Sequence, residues 1–319
     1  MNRETRPWLW TLLLLLAIAL PLVLHARGQD YYISMISRMM IYGIAACSLN
    51  LILGFGGLVS FGHAAFVGIG AYAVGIMITE GVTSGWLNFA VAMGVSALAA
   101  AVIGAISLRT RGVYFIMITL AFAQMIYYLV NSIKAYGGDE GLNIKSRSNF
   151  GMGLDLKNDL TFYFVVLLVL VLTLVIISRM MKSRFGRVIL AIRDDDTRVD
   201  AIGFPAYTYK WVLFIIAGTL GGLAGALMVN HQNYVSPNLM HWTQSGTLMI
   251  MVILGGVGTL SGGLWGALVL LILEDVIAEY TVYWQFYIGW FLLAVVLLAP
   301  RGLSSLFNRP KKLETKGHA

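Results

Sequence analysis

The chain has 319 residues, of which 59% are hydrophobic and only 12% are charged, and its mean hydropathy is +0.80. In soluble proteins about a quarter of the residues are charged, so this composition excludes an ordinary soluble domain. The net charge of +7 and the pI near 9.5 do not indicate nucleic-acid binding, because the basic residues are scattered over loop ends rather than gathered on one face. We therefore expect the chain to contact membrane lipid and no nucleic acid.

Apolar segments of membrane-spanning length follow one another along the chain. A helix needs about 20 residues to cross a hydrocarbon core ~30 Å thick. The predicted spans are residues 8–24, 33–53, 60–79, 86–108, 113–133, 160–181, 209–230, 243–257, 261–279 and 284–299. Because a backbone exposed to lipid must satisfy its own polar groups, the segments predict an all-α, polytopic helical membrane protein of roughly ten transmembrane helices.

The positions of Lys and Arg predict the orientation of these spans. Basic clusters precede the first span, separate the fourth from the fifth, follow the sixth and follow the last. With ten crossings all four clusters fall on one side, so both termini are predicted to be cytoplasmic. The first span is expected to be retained rather than cleaved as a signal peptide, because His25, Ala26 and Arg27 make a poor cleavage site.

Glycines concentrate in three clusters, at residues 54–72, 218–226 and 254–267. Small residues allow membrane helices to approach closely, and helix packing alone explains such clusters. The alternative for the first and third clusters is that they break their helices, as in transporters whose pathway is lined by backbone or whose helices hinge. The sequence leaves both interpretations open.

Polar residues within the spans are candidates for a translocation path, because each is costly in hydrocarbon without a partner or a cavity. His63 is more readily explained as a helix-contact histidine than as a metal ligand, and no metal site is predicted. Gln124 and Asn131 lie two turns apart on one helix face and suit either a path or interhelical hydrogen bonds. Arg38 is expected to snorkel to the outer surface, and Glu274 and Asp275 to reach headgroups or water. The candidate path or gating residues are Asn50, Gly56, Gly57, Ser60, His63, Gln124, Asn131, Gly255 and Gly256.

Sequence signatures of chemistry are absent. The chain has no phosphate-binding loop, no H-E-x-x-H motif and no G-x-S-x-G motif, so we predict no catalytic residues and no enzyme. The single cysteine, Cys47, excludes a disulfide framework and is expected to be buried. No ladder of buried carboxylates is evident, which disfavours transport driven by protons or sodium.

Residues 184–205, which we call the island, carry eight charged side chains in their first 17 positions. Apolar residues recur among them at near-helical spacing, which predicts one short amphipathic helix along the membrane surface. Asp194 stands four residues before Arg198, in the favourable orientation for a helical ion pair. Gly203 and Pro205 are expected to end the helix. The island is either a solvated loop or a docking element for a partner outside the membrane.

Several motifs resemble one family, the LivM-type permease subunits of branched-chain amino-acid ATP-binding-cassette (ABC) importers. Residues 48–72 read SLNLILGFGGLVSFGHAAFVGIGAY, residues 111–124 read RGVYFIMITLAFAQ and residues 137–142 read GGDEGL. The island, FGRVILAIRDDDTRVDAIG over residues 185–203, is similar to the family's F-G-R-x-x-x-A-I-R loop. The sequence departs from that pattern at Asp196, where the family has Glu, and at Arg198 and Val199, where it has two alanines.

The resemblance implies a subunit of the bacterial inner membrane that pairs with a second, LivH-like permease. Two ABC ATPases would bind ATP and Mg²⁺ on the cytoplasmic side, a periplasmic protein would deliver the substrate, and this chain would hold no cofactor. The implied organisation is an N-terminal helix with its flanks at 1–30, a permease domain at 31–303 with the coupling loop at 184–205, and a basic tail at 304–319. The implied ATPase-coupling residues are Arg193, Asp194, Asp195, Asp196, Arg198, Val199, Asp200 and Gly203.

The substrate implied by the resemblance is a branched-chain or related hydrophobic amino acid. Urea, amides or aromatic acids carried by the same mechanism are alternatives. An ion-driven secondary transporter and a passive channel are further alternatives, which would work without an attached ATPase.

Overall fold

The computed structural model describes residues 7–144, 146–151, 156, 158–298 and 302, with only the backbone described at residues 7–14 and 296. The basic tail predicted at 304–319 and the basic residues Arg3 and Arg6 lie outside this range. Five helical segments are long and apolar enough to cross a membrane: Asp30–Phe55, Gly85–Ser107, Val113–Ser132, Asp159–Lys182 and Ala206–Gln232. The prediction of an all-α, polytopic membrane protein is confirmed, while the count of ten crossings stays a prediction.

Each of the ten predicted spans corresponds to an apolar helix. These helices are α1 (Pro7–Ala26), α2 (Asp30–Asn50), α3 (His63–Thr79), α4 (Gly85–Ser107), α5 (Val113–Ser132), α6 (Asp159–Lys182), α9 (Ala206–Gln232), α10 (Trp242–Gly255), α11 (Gly262–Tyr280) and α12 (Trp284–Leu298). The island supplies α7 (Arg184–Asp194) and α8 (Asp196–Ala201). A π-helical turn, Leu51–Phe55, prolongs α2.

Helices α2 and α9 form the centre of the helical body. Within the most apolar window of each segment, 78% of the residues are buried in α2 with its π turn and 72% in α9, against 17% in α5. Helix α9 packs along α3 and α4, and α2 packs against α6, α9 and α11. Most of α5 is therefore uncovered, and its surface is available to lipid or to another subunit.

Loops opposite the island are held by polar contacts. Strand β1 (Leu142–Asn143) pairs antiparallel with β2 (Tyr234–Val235), and the Tyr234 hydroxyl donates to the carbonyl oxygen of Glu140. The amide oxygen of Asn230 accepts from the backbone N–H of Ser148 at 2.8 Å, and the Asn88 amide donates to the Ser148 hydroxyl at 3.2 Å. The loop between α5 and α6 is therefore fixed onto the helix ends.

The glycine cluster at 218–226 packs helices, whereas the other two interrupt them. A side chain on Gly70 would collide with the backbone of Gly222, and one on Gly225 with the carbonyl oxygen of Val67, so α3 and α9 are in backbone contact. In contrast, the chain leaves helical geometry over residues 56–62, the first break, and over residues 256–261, the second break. Close packing and helix breaks thus both occur, and the clusters at 54–72 and 254–267 contain glycines of each kind.

Candidate coupling and translocation sites

The first break follows the π turn at the end of α2. Gly56 N–H donates to the carbonyl oxygen of Leu51, five residues back, and Gly57 then turns the chain with φ +69°. A residue with a Cβ rarely adopts this left-handed conformation, which explains a glycine at this position. Residues 58–62 are also non-helical, and α3 begins at His63, so the break separates α2 with its π turn from α3.

The second break lies directly against the first. The amide nitrogen of Asn50 donates to the carbonyl oxygen of Thr259 at 2.7 Å, and its amide oxygen accepts from Gly258 N–H at 3.0 Å. Gly54 has no room for a side chain, since a Cβ there would collide with the backbone nitrogen of Gly258. We call this contact between Asn50, Gly54 and residues 258–259 the break junction. It joins the two halves of the chain.

Ser60 and His63 are fully buried beside the first break. Ser60 accepts a weak hydrogen bond from Gly62 N–H at 3.3 Å. The Ser48 hydroxyl donates to the carbonyl oxygen of Ala45, so the 2.7 Å contact between Ser48 Oγ and His63 Nε2 requires His63 to donate. His63 therefore joins α2 to α3, as expected of a helix-contact histidine.

The island consists of two helices, and the prediction of a single amphipathic helix is wrong. Asp195 leaves helical geometry with φ −160° and caps α8, because its carboxylate accepts from the backbone N–H of Arg198 at 3.1 Å. The predicted ion pair of Asp194 with Arg198 is also wrong. Arg198 pairs with Asp195 at 3.4 Å, and Asp194 with Arg193 at 3.6 Å. An aspartate able to cap the next helix competes with continuation of α7.

Acidic residues of the island are used mainly inside this chain. The carboxylate of Asp196 accepts from Lys210 Nζ at 3.0 Å and lies 3.3 Å from Arg111, and Lys210 foremost lowers the pKa of Asp196. A hydrogen bond from the Thr197 hydroxyl foremost lowers the pKa of Asp195. Asp200 accepts from Ala206 N–H at 2.8 Å and thereby caps α9. The island is braced against the helices on either side of it.

Gly203 follows the end of α8 with φ +91°, in the left-handed conformation expected of a residue that ends a helix. The apolar residues of the island divide between the side that faces the helical body and the side that faces outward. Ile189, Ile192 and Val199 are buried against the helical body, whereas Ile202 is 69% exposed. Arg198 is exposed next to it. Of the implied coupling residues, Val199 thus faces the body and Arg198 faces outward.

Arg193 projects toward the break junction. Its Nη1 donates to the carbonyl oxygen of Gly54 at 3.0 Å, and its aliphatic stem covers Gly57 so closely that a Cβ there would lie 2.7 Å from Arg193 Cγ. Arg193 therefore touches both the π turn and the first break.

The uncovered face of α5 differs from the uncovered faces of α4 and α6. Tyr114, Met117, Met125 and Tyr128 are exposed along it, and Gln124 is half-exposed between them. In contrast, the exposed large residues of α4 beyond Trp86, and those of α6, are Leu, Val and Ile. Tyrosine, methionine and glutamine in place of aliphatic residues indicate a surface that contacts something other than lipid tails.

Aromatic rings continue this face toward α10 and the first break. Tyr127 lies 5.4 Å from His241, His241 lies 5.9 Å from Trp242, and Trp242 lies 6.3 Å from Phe61 between ring centroids. The sequence interpretation did not single out these aromatic residues. The signal is present in part, since Tyr114, Met117, Gln124 and Tyr128 recur at helical spacing, but the contribution of Trp242 and Phe61 depends on the break that brings them together.

Of the remaining polar candidates, Asn131 lies on the same helix, and its amide oxygen is buried without a hydrogen-bond partner among the described residues. Gly255 and Gly256 form the close crossing of α10 and α11, where a Cβ on Gly255 would collide with the backbone of Gly262. The expectation that Arg38 snorkels and that Asp275 reaches headgroups or water stays a prediction, and the structure adds a partner for each. Arg38 Nη2 donates to Asp275 Oδ1 at 3.0 Å, which pairs α2 with α11.

The chain thus has two breaks in contact with each other and a charged island between its sixth and seventh apolar helices. The family described as branched-chain amino acid transport system / permease component matches residues 31–299, which is most of the chain. The chain belongs to this family.

Curated relatives from bacteria and an archaeon agree with this family. The high-affinity branched-chain amino acid transport system permease protein LivM of Salmonella typhimurium is 28% identical over 95% of this chain and 76% of its own length. The probable permease LivM of Methanocaldococcus jannaschii is 25% identical over 75% of this chain and 79% of its own. The permease LivH of Escherichia coli is 22% identical over 82% of this chain and 90% of its own. No solved structure matches the chain.

Proposed function

We propose that this chain is one of two membrane subunits of an ABC importer for branched-chain or related hydrophobic amino acids. The observation that carries the proposal is the island. It is a compact, internally capped unit that is seated on the helical body by Val199 and Ile192 and presents Arg198 and Ile202 outward. An exposed isoleucine beside an exposed arginine suits a protein partner better than a free loop. That partner would be a cytoplasmic ATPase that binds ATP and Mg²⁺.

The second membrane subunit would be a homologous permease. Relatives named LivM and LivH both align with most of this chain, which fits a pair of related subunits. The uncovered face of α5, with Gln124 and Tyr128, supports a substrate path formed between two such subunits rather than within one. A periplasmic binding protein would deliver substrate to the end of α5 that lies beneath the loop over residues 134–158.

The proposed orientation has ten crossings and places the island and both termini on the cytoplasmic side of a bacterial inner membrane. The basic residues around the island, including Arg184 and Arg187, agree with it. The substrate is proposed from the names of the relatives, which describe branched-chain amino acid transport. We propose leucine, isoleucine and valine as substrates in preference to urea, amides or aromatic acids.

Purification from the native cell in mild detergent tests the proposal. We expect an ATPase with a phosphate-binding loop and a second permease to co-purify with the chain. In liposomes the complex should take up leucine only with ATP and the binding protein present. A chain that purifies alone and transports alone, with or without an ion gradient, would contradict the proposal. Competition of labelled leucine uptake by urea or an aromatic acid tests the substrate class.

A further inference from the structure

The side chain of Arg193 points away from the outward face of the island. Its neighbours Asp194 and Arg198 have side chains 75% and 82% exposed. The Arg193 side chain is 40% exposed, and its guanidinium lies between α7 and the π turn. Arg193 therefore makes most of its contacts within the chain. Its position in the island sequence does not by itself make it a contact of the ATPase.

The contacts of Arg193 extend over the break junction. Its Nη1 donates to Gly54, and its stem covers Gly57. A Cβ on Gly258, in the second break, would lie 3.6 Å from the same Nη1. The Arg193 side chain therefore contacts the π turn at Gly54 and faces the backbone of the second break at Gly258. These two glycines are more than 200 residues apart in the sequence.

Electrostatics favours a cation at this point. Carbonyl groups at the C-terminal end of a helix lack donors from a following turn, and the helix dipole is negative there. Gly54 is in the last turn before the first break, and Arg193 supplies a charged donor to its carbonyl. The planar guanidinium offers several donors in a fixed fork, which a lysine ammonium does not.

Glycine backbone geometry gives the breaks freedom to rearrange. Gly57, Gly256 and Gly258 have φ of +69°, +116° and +74°. Without side chains, these residues can change their dihedral angles with little steric cost. An island joined to such segments through a charged contact can transmit a displacement to them.

We propose that Arg193 is a positioning residue that transmits movement of the island to the break junction, and that it is not a contact of the ATPase. The proposal rests on the proposed function, because the movement of the island would be driven by the ATPases. When the island shifts, the contact from Arg193 to Gly54 moves the π turn, and Asn50 carries that movement to the second break.

The test compares Arg193→Ala with Arg187→Ala in the complete complex in lipid nanodiscs. Arg187 is an exposed arginine on the same helix, so its loss removes the same charge without touching the breaks. For Arg193→Ala we expect normal co-purification of the ATPases and about a tenfold fall in substrate transported per ATP hydrolysed. In the purified permease, we expect amide hydrogen exchange over residues 51–62 and 256–261 to rise about tenfold. Arg187→Ala should leave the exchange of both segments unchanged.

Arg193→Lys keeps the cation and serves where the alanine variant does not fold, with an intermediate loss of transport per ATP expected. Loss of ATPase co-purification with unchanged exchange of the breaks would overturn the proposal, because Arg193 would then be a partner contact. Unchanged transport per ATP would overturn it as well. If the wild-type chain binds no ATPase, the proposed function fails, yet the exchange measurement still decides whether Arg193 controls the breaks.

Discussion

The side chain of Asn50 substitutes for a strand partner of Thr259, because its amide makes one hydrogen bond to the Thr259 carbonyl and accepts another from the adjacent Gly258 N–H. Asn50 is buried, so water does not replace these bonds. Two non-helical segments inside an apolar protein would otherwise leave backbone groups without partners, at a cost of about 1–3 kcal/mol for each group. Asn50 thus stabilises the arrangement in which both breaks exist.

Asn50→Ala should destabilise the folded chain by about 2–4 kcal/mol, since it removes both bonds and leaves their backbone partners unsatisfied. The matched control is Ser60→Ala, which removes one 3.3 Å bond in the same region and should cost less than about 1 kcal/mol. Thermal unfolding of both variants in the same detergent provides the comparison. Equal loss of stability in the two variants would contradict the role of Asn50.

Gly225→Ala should prevent close packing of α3 and α9, because its Cβ would overlap the carbonyl oxygen of Val67. Overpacking of this kind costs about 1–3 kcal/mol or more, so we expect low yield and a lower unfolding temperature. Gly94→Ala on α4 is the control, since no heavy atom lies within 4 Å of its added Cβ. It should be tolerated or stabilising by up to about 1 kcal/mol. Equal yields of both variants would refute the backbone contact.

Arg38→Leu or Asp275→Leu alone should lower the yield of folded protein, because each leaves the other charge unpaired within an apolar region. The double variant should recover most of the loss. A double-mutant cycle on unfolding temperatures measures the coupling. Additive effects of the two substitutions would show that the ion pair contributes nothing.

Asp196 should stabilise the island in a pH-dependent manner. Lys210 lowers the pKa of the folded carboxyl below its unfolded value, so its contribution is present above the unfolded pKa of about 3.9 and is lost as the pH falls through the folded pKa. Asp196→Asn should therefore lower the unfolding temperature at pH 7, and its difference from wild type should shrink below about pH 4. Asp194→Asn, at an exposed carboxylate, is the control and should differ little from wild type at either pH. A constant difference between Asp196→Asn and wild type would exclude this effect.

Cysteines on the face of α5 should react with a membrane-impermeant thiol reagent during transport. In a Cys47→Ser background, Gln124→Cys and Tyr128→Cys are expected to be labelled when substrate, binding protein and ATP are present. Leu98→Cys and Leu172→Cys, exposed on the aliphatic faces of α4 and α6, are the controls. They should remain unlabelled because lipid covers them. Labelling of the controls alone would place the path elsewhere.

Much of the fold follows from the sequence, since apolar length and loop chemistry predict every long helix to within a few residues. The sequence leaves the breaks undecided because glycine serves both close packing and interruption of a helix, and the contacts that hold the two breaks together, from Asn50 to residues 258–259, join positions about 200 residues apart. The sequence predicts one helix for the island because the helical spacing of its apolar residues continues past Asp195. That spacing does not reveal that the Asp195 side chain caps a new helix. The inward direction of Arg193 depends on contacts made 139 residues away in the chain.

The division of labour within the island has an evolutionary consequence. Asp195, Asp196 and Asp200 are committed to capping and ion pairs inside the chain, so they fix the shape of the island. The exposed Arg198 side chain pairs with Asp195, and Ile202 is exposed, so replacing either leaves the caps of α8 and α9 and the pair of Asp196 with Lys210 in place. Under the proposed function, two copies of such a gene would keep separate ATPases through a few exchanges at these exposed positions, while their folded bodies stay the same.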